Sequence, residues 1–484
     1  MKKICCFLYL LIVLVILLGP GLRPVKAETE IWGDKLTVAG FLRYEMAIHI
    51  THKNPNNPSQ DDNNWLNLSR AFFQTEWEFK PFDEYRDNFK LYSKIRLIHD
   101  QTEEFDSNLN KYDAFPRTAP SELQIGGNDE YQFEVWELYS EIDVGNLWLR
   151  IGRQQIVWGE MIAARIMDII NPLDLSWHFR FEPEEFENIR IPLWSLRALY
   201  TIEQSKVPGL RNLNIECFLN PGDIAPDVNP EPGAPFNFKP PYPPFFIITE
   251  KDRRGDVEYG VRIGGSIGQV YGTINYLHLY TDSAYLDTKQ FVPVPLTFYI
   301  DAKYPSIDVY GLTLNYAFAP PIDLVTTFEG TYIPNQPYMD ANSRFPGIQD
   351  RGTFNYAIRF DRKTFVFPRP TSAMMIQFQL SGIVVEGDEE DLLIGNQEVD
   401  KSRESLALIL SQAFFKADLL TPSFQTVYDI DGAYYIKPQL KFKTGDHWVL
   451  DVWGVFVGGS EKRPERFGGM YWADEVVLRA TYQF

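Results

Sequence analysis

The feature that most constrains this chain is an alternation of apolar and polar residues, which recurs in segments of about ten residues. In the first segment, Leu42, Tyr44 and Met46 share one face, and Arg43 and Glu45 share the other. The second face stays polar and charged in segment after segment, so the sequence offers no second apolar layer for a soluble sandwich. This pattern is typical of strands that present their apolar face to lipid. We therefore predict an all-β, transmembrane, antiparallel up-and-down β-barrel.

The alternation predicts about 18 strands, with about 16 as the alternative. Segment 422–430 is weakly patterned and is included because a bacterial barrel with both termini in the periplasm needs an even strand number. Asp431-Gly432 then forms a favoured hairpin turn. Pro438 predicts a bulge in its strand. The predicted strands are 35–49, 67–80, 90–100, 131–144, 147–157, 193–203, 211–219, 257–266, 270–281, 307–318, 322–332, 353–361, 372–385, 405–417, 422–430, 433–443, 447–458 and 474–484.

Residues 1–27 have the composition of a cleaved secretory signal peptide. Lys2 and Lys3 precede an apolar run that ends before Gly19, and a cleavage site is expected after Ala27. The run is short for a spanning helix, and no stop-transfer flank follows it. We therefore predict that residues 28–484 form a single barrel in the cell outer membrane of a Gram-negative bacterium, exported through the inner membrane.

The last strand has the sharpest local pattern. Val476, Leu478, Tyr482 and Phe484 fall on one face, and the aromatic residues resemble the signal that barrel-assembly machinery reads. Tyr482 and Phe484 are therefore predicted to form an assembly signal. The expected partners are that machinery, outer-membrane lipid, lipopolysaccharide and a small solute, with no nucleic acid.

The formal net charge of −19 does not describe the predicted lumen. The strand phases place slightly more basic than acidic residues inside and put Trp136 on the lipid face. The acid excess then lies in loops such as 388–391, which either bind divalent cations or are simply solvated, the reading we prefer. A weak preference for anions is expected, because screening limits the reach of the loop charges.

One stretch departs from simple alternation: G-R-Q-x-x-x-W-G-E, starting at Gly152, followed by D-x-x-N-P-x-D, starting at Asp168. Residues 161–168 suit a short helix that ends before Pro172. The stretch lies in the third external loop, 158–192, which we expect to fold inward and to meet charged residues of neighbouring strands. The constriction candidates are Trp158, Glu160, Arg165, Asp168, Asn171, Asp174, Arg150 and Arg197. Arg180, Arg96 and Glu137 belong to the same predicted charge cluster.

This motif resembles that of proteobacterial outer-membrane barrels catalogued as domain-of-unknown-function family 1302. Alginate-export and porin-type barrels are more distantly similar in architecture. The resemblance implies an outer-membrane barrel and carries no established substrate.

The pattern favours a porin-like channel that passes small solutes, with loop 158–192 as its constriction. The alternative for the loop is that it only anchors itself to the wall. The alternative functions are transport of hydrophobic or lipid-like compounds and a structural or partner-binding role. A barrel enzyme is least expected, because the six histidines are scattered and no Ser-His or His-Asp spacing stands out. No C-x-x-C-H run is present, and no cofactor, metal or catalytic residue is predicted.

Overall fold

The computed structural model of the protein describes most of the chain outside residues 1–27. The described ranges are 28–32, 35–50, 53–57, 64–82, 88–109, 111–116, 123–178, 186–203, 207–237, 244–250, 256–340, 347–366, 372–387, 392–394, 397–415, 418–459 and 468–484. The predicted signal peptide, the acidic segment 388–391 and Arg180 lie outside these residues.

The described residues form a closed antiparallel barrel of 18 strands, as predicted. Each strand pairs with the next, and the last pairs with the first, Phe41 opposite Gln483, so the barrel has no free edge. The barrel strands are β1 Leu36–His49, β2 Leu66–Phe79, β3 Phe89–Asp100, β4 Tyr131–Val144, β5 Leu147–Gln154, β6 Leu193–Ile202, β7 Leu210–Asn220, β8 Glu258–Ile267, β9 Val270–Tyr280, β10 Ser306–Phe318, β11 Leu324–Asp340, β12 Ile348–Thr364, β13 Met374–Val385, β14 Ser402–Ser411, β15 Leu420–Asp429, β16 Tyr434–Thr444, β17 Trp448–Gly458 and β18 Glu475–Gln483.

The period-two pattern separates the two faces of the barrel wall. On β10, Leu312 and Leu314 are 38% and 39% exposed, whereas Thr313 between them is 0% exposed. The same inversion recurs on β2 with exposed Phe73 and buried Gln74. Apolar residues thus cover the outside and polar residues line the lumen, the arrangement of a barrel surrounded by lipid.

Smaller elements lie beside the barrel strands. Strand Glu28–Ile31 pairs with β1 and Leu123–Gly127 pairs with β4, while Leu392–Ile394 and Gln397–Glu398 form a short hairpin beside β11. A separate sheet contains Phe246–Glu250, Tyr285–Pro293 and Leu296–Lys303. The helical turns are Thr102–Phe105, Leu175–Trp177, Phe186–Ile189 and Gly468–Met470. Within the described ranges, helices are too short and too polar to cross a membrane.

The weakly patterned segment is a strand, β15, and Gly432 turns the hairpin that follows it with a φ of 106°. The predicted bulge at Pro438 is wrong. Pro438 pairs with Phe424 of β15 without a change of register, and only the ladder with β17 lacks pairs at Lys437 and Pro438. A proline that removes one donor thus interrupts one ladder without adding a residue to the strand.

Trp136 was predicted on the lipid face and is instead inside, 2% exposed. The register between β3 and β4 shifts there, because Lys94 pairs with Glu137 and Ile95 with Val135. This bulge reverses the phase of β4, so that Glu134 and Trp136 face the lumen above it and Glu137 faces the lumen below it.

Candidate functional site

The inward segment is defined as residues 155–178 and 186–192, which lie between β5 and β6. One asparagine in it bonds to residues near both of its ends. The Asn171 side chain accepts a hydrogen bond from the Ile156 N–H at 2.8 Å and donates one to the Ile191 carbonyl at 2.8 Å. Buried Asn171 thus ties the outgoing strand, the returning strand and its own turn together.

Trp158 fixes the start of the inward segment to β7. Its indole N–H donates to Glu216 Oε1 at 2.8 Å, and its ring meets Phe218 edge-on at 5.5 Å. Arg197 of β6 donates to the same Glu216 oxygen at 2.6 Å. Two of the predicted residues, Trp158 and Arg197, therefore meet at one carboxylate.

After Trp158 the chain reaches inward-facing residues of four strands farther round the barrel. The Glu160 N–H donates to Glu329 of β11, and its carboxylate accepts from Asn315 of β10 at 3.1 Å. Arg359 of β12 donates to the Glu160 carbonyl, and the Ile162 N–H donates to Gln379 of β13 at 3.1 Å.

The expected helix at 161–168 is wrong, because these residues have no helical structure. Their backbone groups bond to the wall and to Arg165 instead of to one another. The Arg165 guanidinium donates to the carbonyls of Asp168 at 2.6 Å and Asn171 at 2.7 Å. Gly159 allows this fold, because a Cβ there would lie 2.6 Å from the Asp168 nitrogen.

The returning part of the inward segment carries a partly buried ion pair. Arg190 donates to both Asp168 carboxylate oxygens, at 3.1 and 2.5 Å. Asp174 caps the turn Leu175–Trp177 by accepting from the Ser176 N–H at 3.1 Å, and burial raises the pKa of its carboxyl. Asp168 and Asp174 are therefore both held by neighbours within the segment.

The wall from β2 to β6 holds the inward segment with charged side chains. Arg70 donates to the Trp177 carbonyl at 2.7 Å, Arg96 to the Asn188 carbonyl at 2.7 Å, and Lys94 to Glu187 at 2.5 Å. Arg70 and Arg96 are each also paired with an acid of the wall, Asp100 at 2.7 Å and Glu134 at 2.5 Å.

Arg150 belongs to the same wall, and its side chain contacts other residues of that wall. It pairs with Glu141 of β4, and its guanidinium stacks 4.2 Å from the Tyr139 ring centroid. Glu137 lies 4.0 Å from Lys94.

A cavity of about 440 Å³ remains between the inward segment and the wall from β12 to β15. The segment lines it with apolar side chains and with the charged residues Glu160, Arg165, Asp168 and Arg190. The wall contributes mainly neutral groups, including those of Asn355, Ser381 and Gln425.

The predicted assembly signal lies at the seam that closes the barrel. The backbone of Phe484 exchanges hydrogen bonds with Gly40 of β1 at 2.9 and 3.0 Å. Its ring stacks on Phe73 at 6.1 Å and on Tyr482 at 6.5 Å, on the outer surface. Both aromatic residues therefore contribute to the contact between first and last strands.

The strand phases assigned from the sequence left out several charged residues that face the lumen. Asp100, Glu134, Asp429, Asp451 and Glu475 are buried at strand positions, and three further bases, Lys90, Arg153 and Arg403, also lie on the lumen side. These five acids and three bases together cancel most of the basic excess that the sequence predicted. Asp100, Asp429 and Glu475 lie at strand ends, where phase is least certain, and Glu134 lies above the β4 bulge.

The closed 18-stranded antiparallel architecture is similar to that of outer-membrane porins. The chain belongs to the family described as "Protein of unknown function (DUF1302)", whose model matches residues 9–414. The resemblance identified from the W-G-E motif is therefore confirmed. No curated protein matches the chain.

The chain also aligns over most of its length with solved structures, among them the following three. Acinetobacter baumannii OccAB3 has 9% identity and a TM-score of 0.51, with 93% of this chain and 99% of that chain covered. Acinetobacter baumannii OccAB1 has 11% identity and a TM-score of 0.48, covering 93% and 96%. Pseudomonas aeruginosa OccK5 (OpdH) has 9% identity and a TM-score of 0.43, covering 93% and 98%. At these identities the likeness concerns the fold alone.

Proposed function

We propose that this protein is a porin-like channel of the outer membrane that passes small solutes, with the inward segment narrowing its lumen. The observation that carries the proposal is the span of that segment, from Trp158 at β7 to Ile162 at β13, with a cavity beside it. A barrel of this strand number is wide enough to enclose an aqueous lumen. A segment anchored at two sides of such a lumen reduces its cross-section.

The predicted constriction residues then divide into three groups. Trp158, Asn171 and Asp174 anchor the inward segment, and Arg150 and Arg197 belong to the supporting wall. Glu160, Arg165 and Asp168 line the cavity and are the residues that a passing solute would meet.

The proposal is tested by filling the cavity. Ala164 lines it, so Ala164→Trp should lower single-channel conductance in planar bilayers. Ala284→Trp, the same change at an exposed position, serves as the control and should conduct like the parent. Equal conductance of all three proteins would show that the inward segment only anchors itself. A folded parent that never conducts would contradict the channel itself.

Export and location follow from the same proposal. We expect residues 1–27 to be removed and the mature barrel to lie in lipid and lipopolysaccharide after insertion by the assembly machinery. N-terminal sequencing of outer-membrane material should begin at Glu28. Retention of the first residues in the folded barrel would contradict cleavage.

A further inference from the structure

The cavity beside the inward segment has an apolar lining that water-filled passages do not need. Met161, Ile162, Ala163, Ile166, Leu173 and Phe186 all contribute to it. Ligand sites commonly combine such a lining with a few placed polar groups that fix orientation. The polar residues of this cavity form one basic region and one acidic region.

One place is basic. Arg190 is neutralised by Asp168, but Arg165 has no carboxylate within 4.0 Å among the residues that the structure describes. Its guanidinium is held by the carbonyls of Asp168 and Asn171 and keeps further N–H donors for another acceptor. A guanidinium fixed in this way loses little side-chain entropy when it binds a carboxylate.

The other place is acidic. The Glu160 carboxylate accepts from the neutral Asn315 amide, and no described cation lies within 4.0 Å of it. Arg359 bonds to the Glu160 carbonyl, while its charge is paired with Asp361 at 2.8 Å. Glu329 accepts from the Glu160 N–H and adds a second acid there.

We infer that this cavity binds a zwitterionic solute with an apolar body, the chemical class of the apolar amino acids. The solute's carboxylate faces Arg165, its ammonium group faces Glu160, and its side chain contacts the apolar lining. Both charges would gain more here than at the surface, because the surrounding protein lowers the effective dielectric constant. The inference deepens the proposed function, since the same cavity is its narrow passage.

Four probes with one phenyl body separate the contributions. L-Phenylalanine carries both charges, 3-phenylpropanoate only the negative one, phenethylamine only the positive one, and 2-phenylethanol neither. Binding is measured by isothermal titration to the full barrel in non-ionic detergent, and block of the open channel is measured in bilayers. Phenylalanine should bind about tenfold more tightly than either singly charged probe, the gain expected of one charge-assisted contact.

Two variants test the orientation. Arg165→Gln should weaken binding of phenylalanine and 3-phenylpropanoate about tenfold and leave phenethylamine unchanged. Glu160→Gln should weaken binding of phenylalanine and phenethylamine about tenfold and leave 3-phenylpropanoate unchanged. Arg262→Gln is the control, because Arg262 also faces inward, on β8, but lies outside the cavity lining. It should leave the ranking of the four probes as in the parent.

The ranking in the parent decides the inference even if a variant fails to fold. Equal binding of 2-phenylethanol and phenylalanine would overturn the role of charge. Equal binding of 3-phenylpropanoate and phenylalanine would overturn the role of Glu160. A conducting parent that binds none of the probes overturns this inference and leaves the channel standing. Selective binding of phenylalanine by a parent that does not conduct supports this inference and overturns the channel.

Discussion

The wall from β2 to β6 faces the lumen with ion pairs and aromatic rings, whereas the wall from β12 to β15 faces it mainly with neutral side chains. On the first, Arg96 is fully buried, pairs with Glu134 at 2.5 Å and lies 3.3 Å from the Trp136 ring centroid. On the second, Gln379 accepts one N–H of the inward segment, and Ser381 bonds to Ser405 at 2.9 Å.

The difference shows that lumen charge has two roles. On the charged wall nearly every cation has an acid beside it, so the wall contributes little net field and serves to hold the inward segment. On the neutral wall the contacts are few, and the cavity remains between segment and wall. Glu160 and Arg165, which have no ion-pair partner among the described residues, lie on the segment that faces this cavity.

The largest expected effect comes from disrupting the contact between the first and last strands, which closes the barrel. Deleting Phe484, or changing it to Asp, removes its stacking on Phe73 and Tyr482 and should abolish most of the folded barrel in the outer membrane. Heat-modifiable migration on gels measures this. Phe484→Tyr keeps the ring and should fold normally, whereas parental levels after both disruptive changes would contradict an assembly signal.

The next largest effect should separate the two walls. Arg96→Ala leaves Glu134 buried without its partner and should lower the free energy of unfolding by about 3–5 kcal/mol. Gln379→Ala on the neutral wall removes one hydrogen bond and should cost about 1 kcal/mol. Urea unfolding of the barrel in lipid vesicles, followed by tryptophan fluorescence, compares them. Equal losses would mean that the charged wall contributes no more to the free energy of unfolding than the neutral wall does.

A smaller effect concerns the acids of the cavity. Glu160→Ala and Asp168→Ala each leave the cavity more positive, the second by releasing Arg190. One unit charge about 4 Å from a passing ion changes its free energy by about 1 kcal/mol in water, so permeability should shift toward anions by about fivefold. Reversal potentials in a salt gradient measure the shift. The exposed Asp350→Ala is the matched control, and an identical shift in it would rule out a cavity effect.

The smallest expected signal is the ion selectivity of the parent channel itself. The sequence predicted a weak anion preference, but buried acids such as Asp451 and Glu475 offset the inward bases. We therefore expect a reversal potential close to zero in a potassium chloride gradient. Strong selectivity for either ion would show that the pairs of the charged wall do not cancel at the constriction.

The sequence by itself determined the barrel, because alternation is a local property that every strand carries. Leu312, Thr313 and Leu314 reveal their faces without knowledge of any neighbour, and parity recovered the weak strand β15. The W-G-E motif likewise identified the inward segment. Trp158 could be expected to anchor it, since a buried indole needs a partner for its N–H.

Only the tertiary structure decided where these residues lie. The bulge that turns Trp136 into the lumen depends on the pairing of β3 with β4. The non-helical course of residues 161–168 depends on Gln379, which is distant in sequence and accepts the N–H of Ile162. Which charges are paired also depends on register, because Arg96 meets Glu134 only across the strands. Local periodicity fixes the face of a residue, whereas its partners are set by contacts between segments that the sequence keeps far apart.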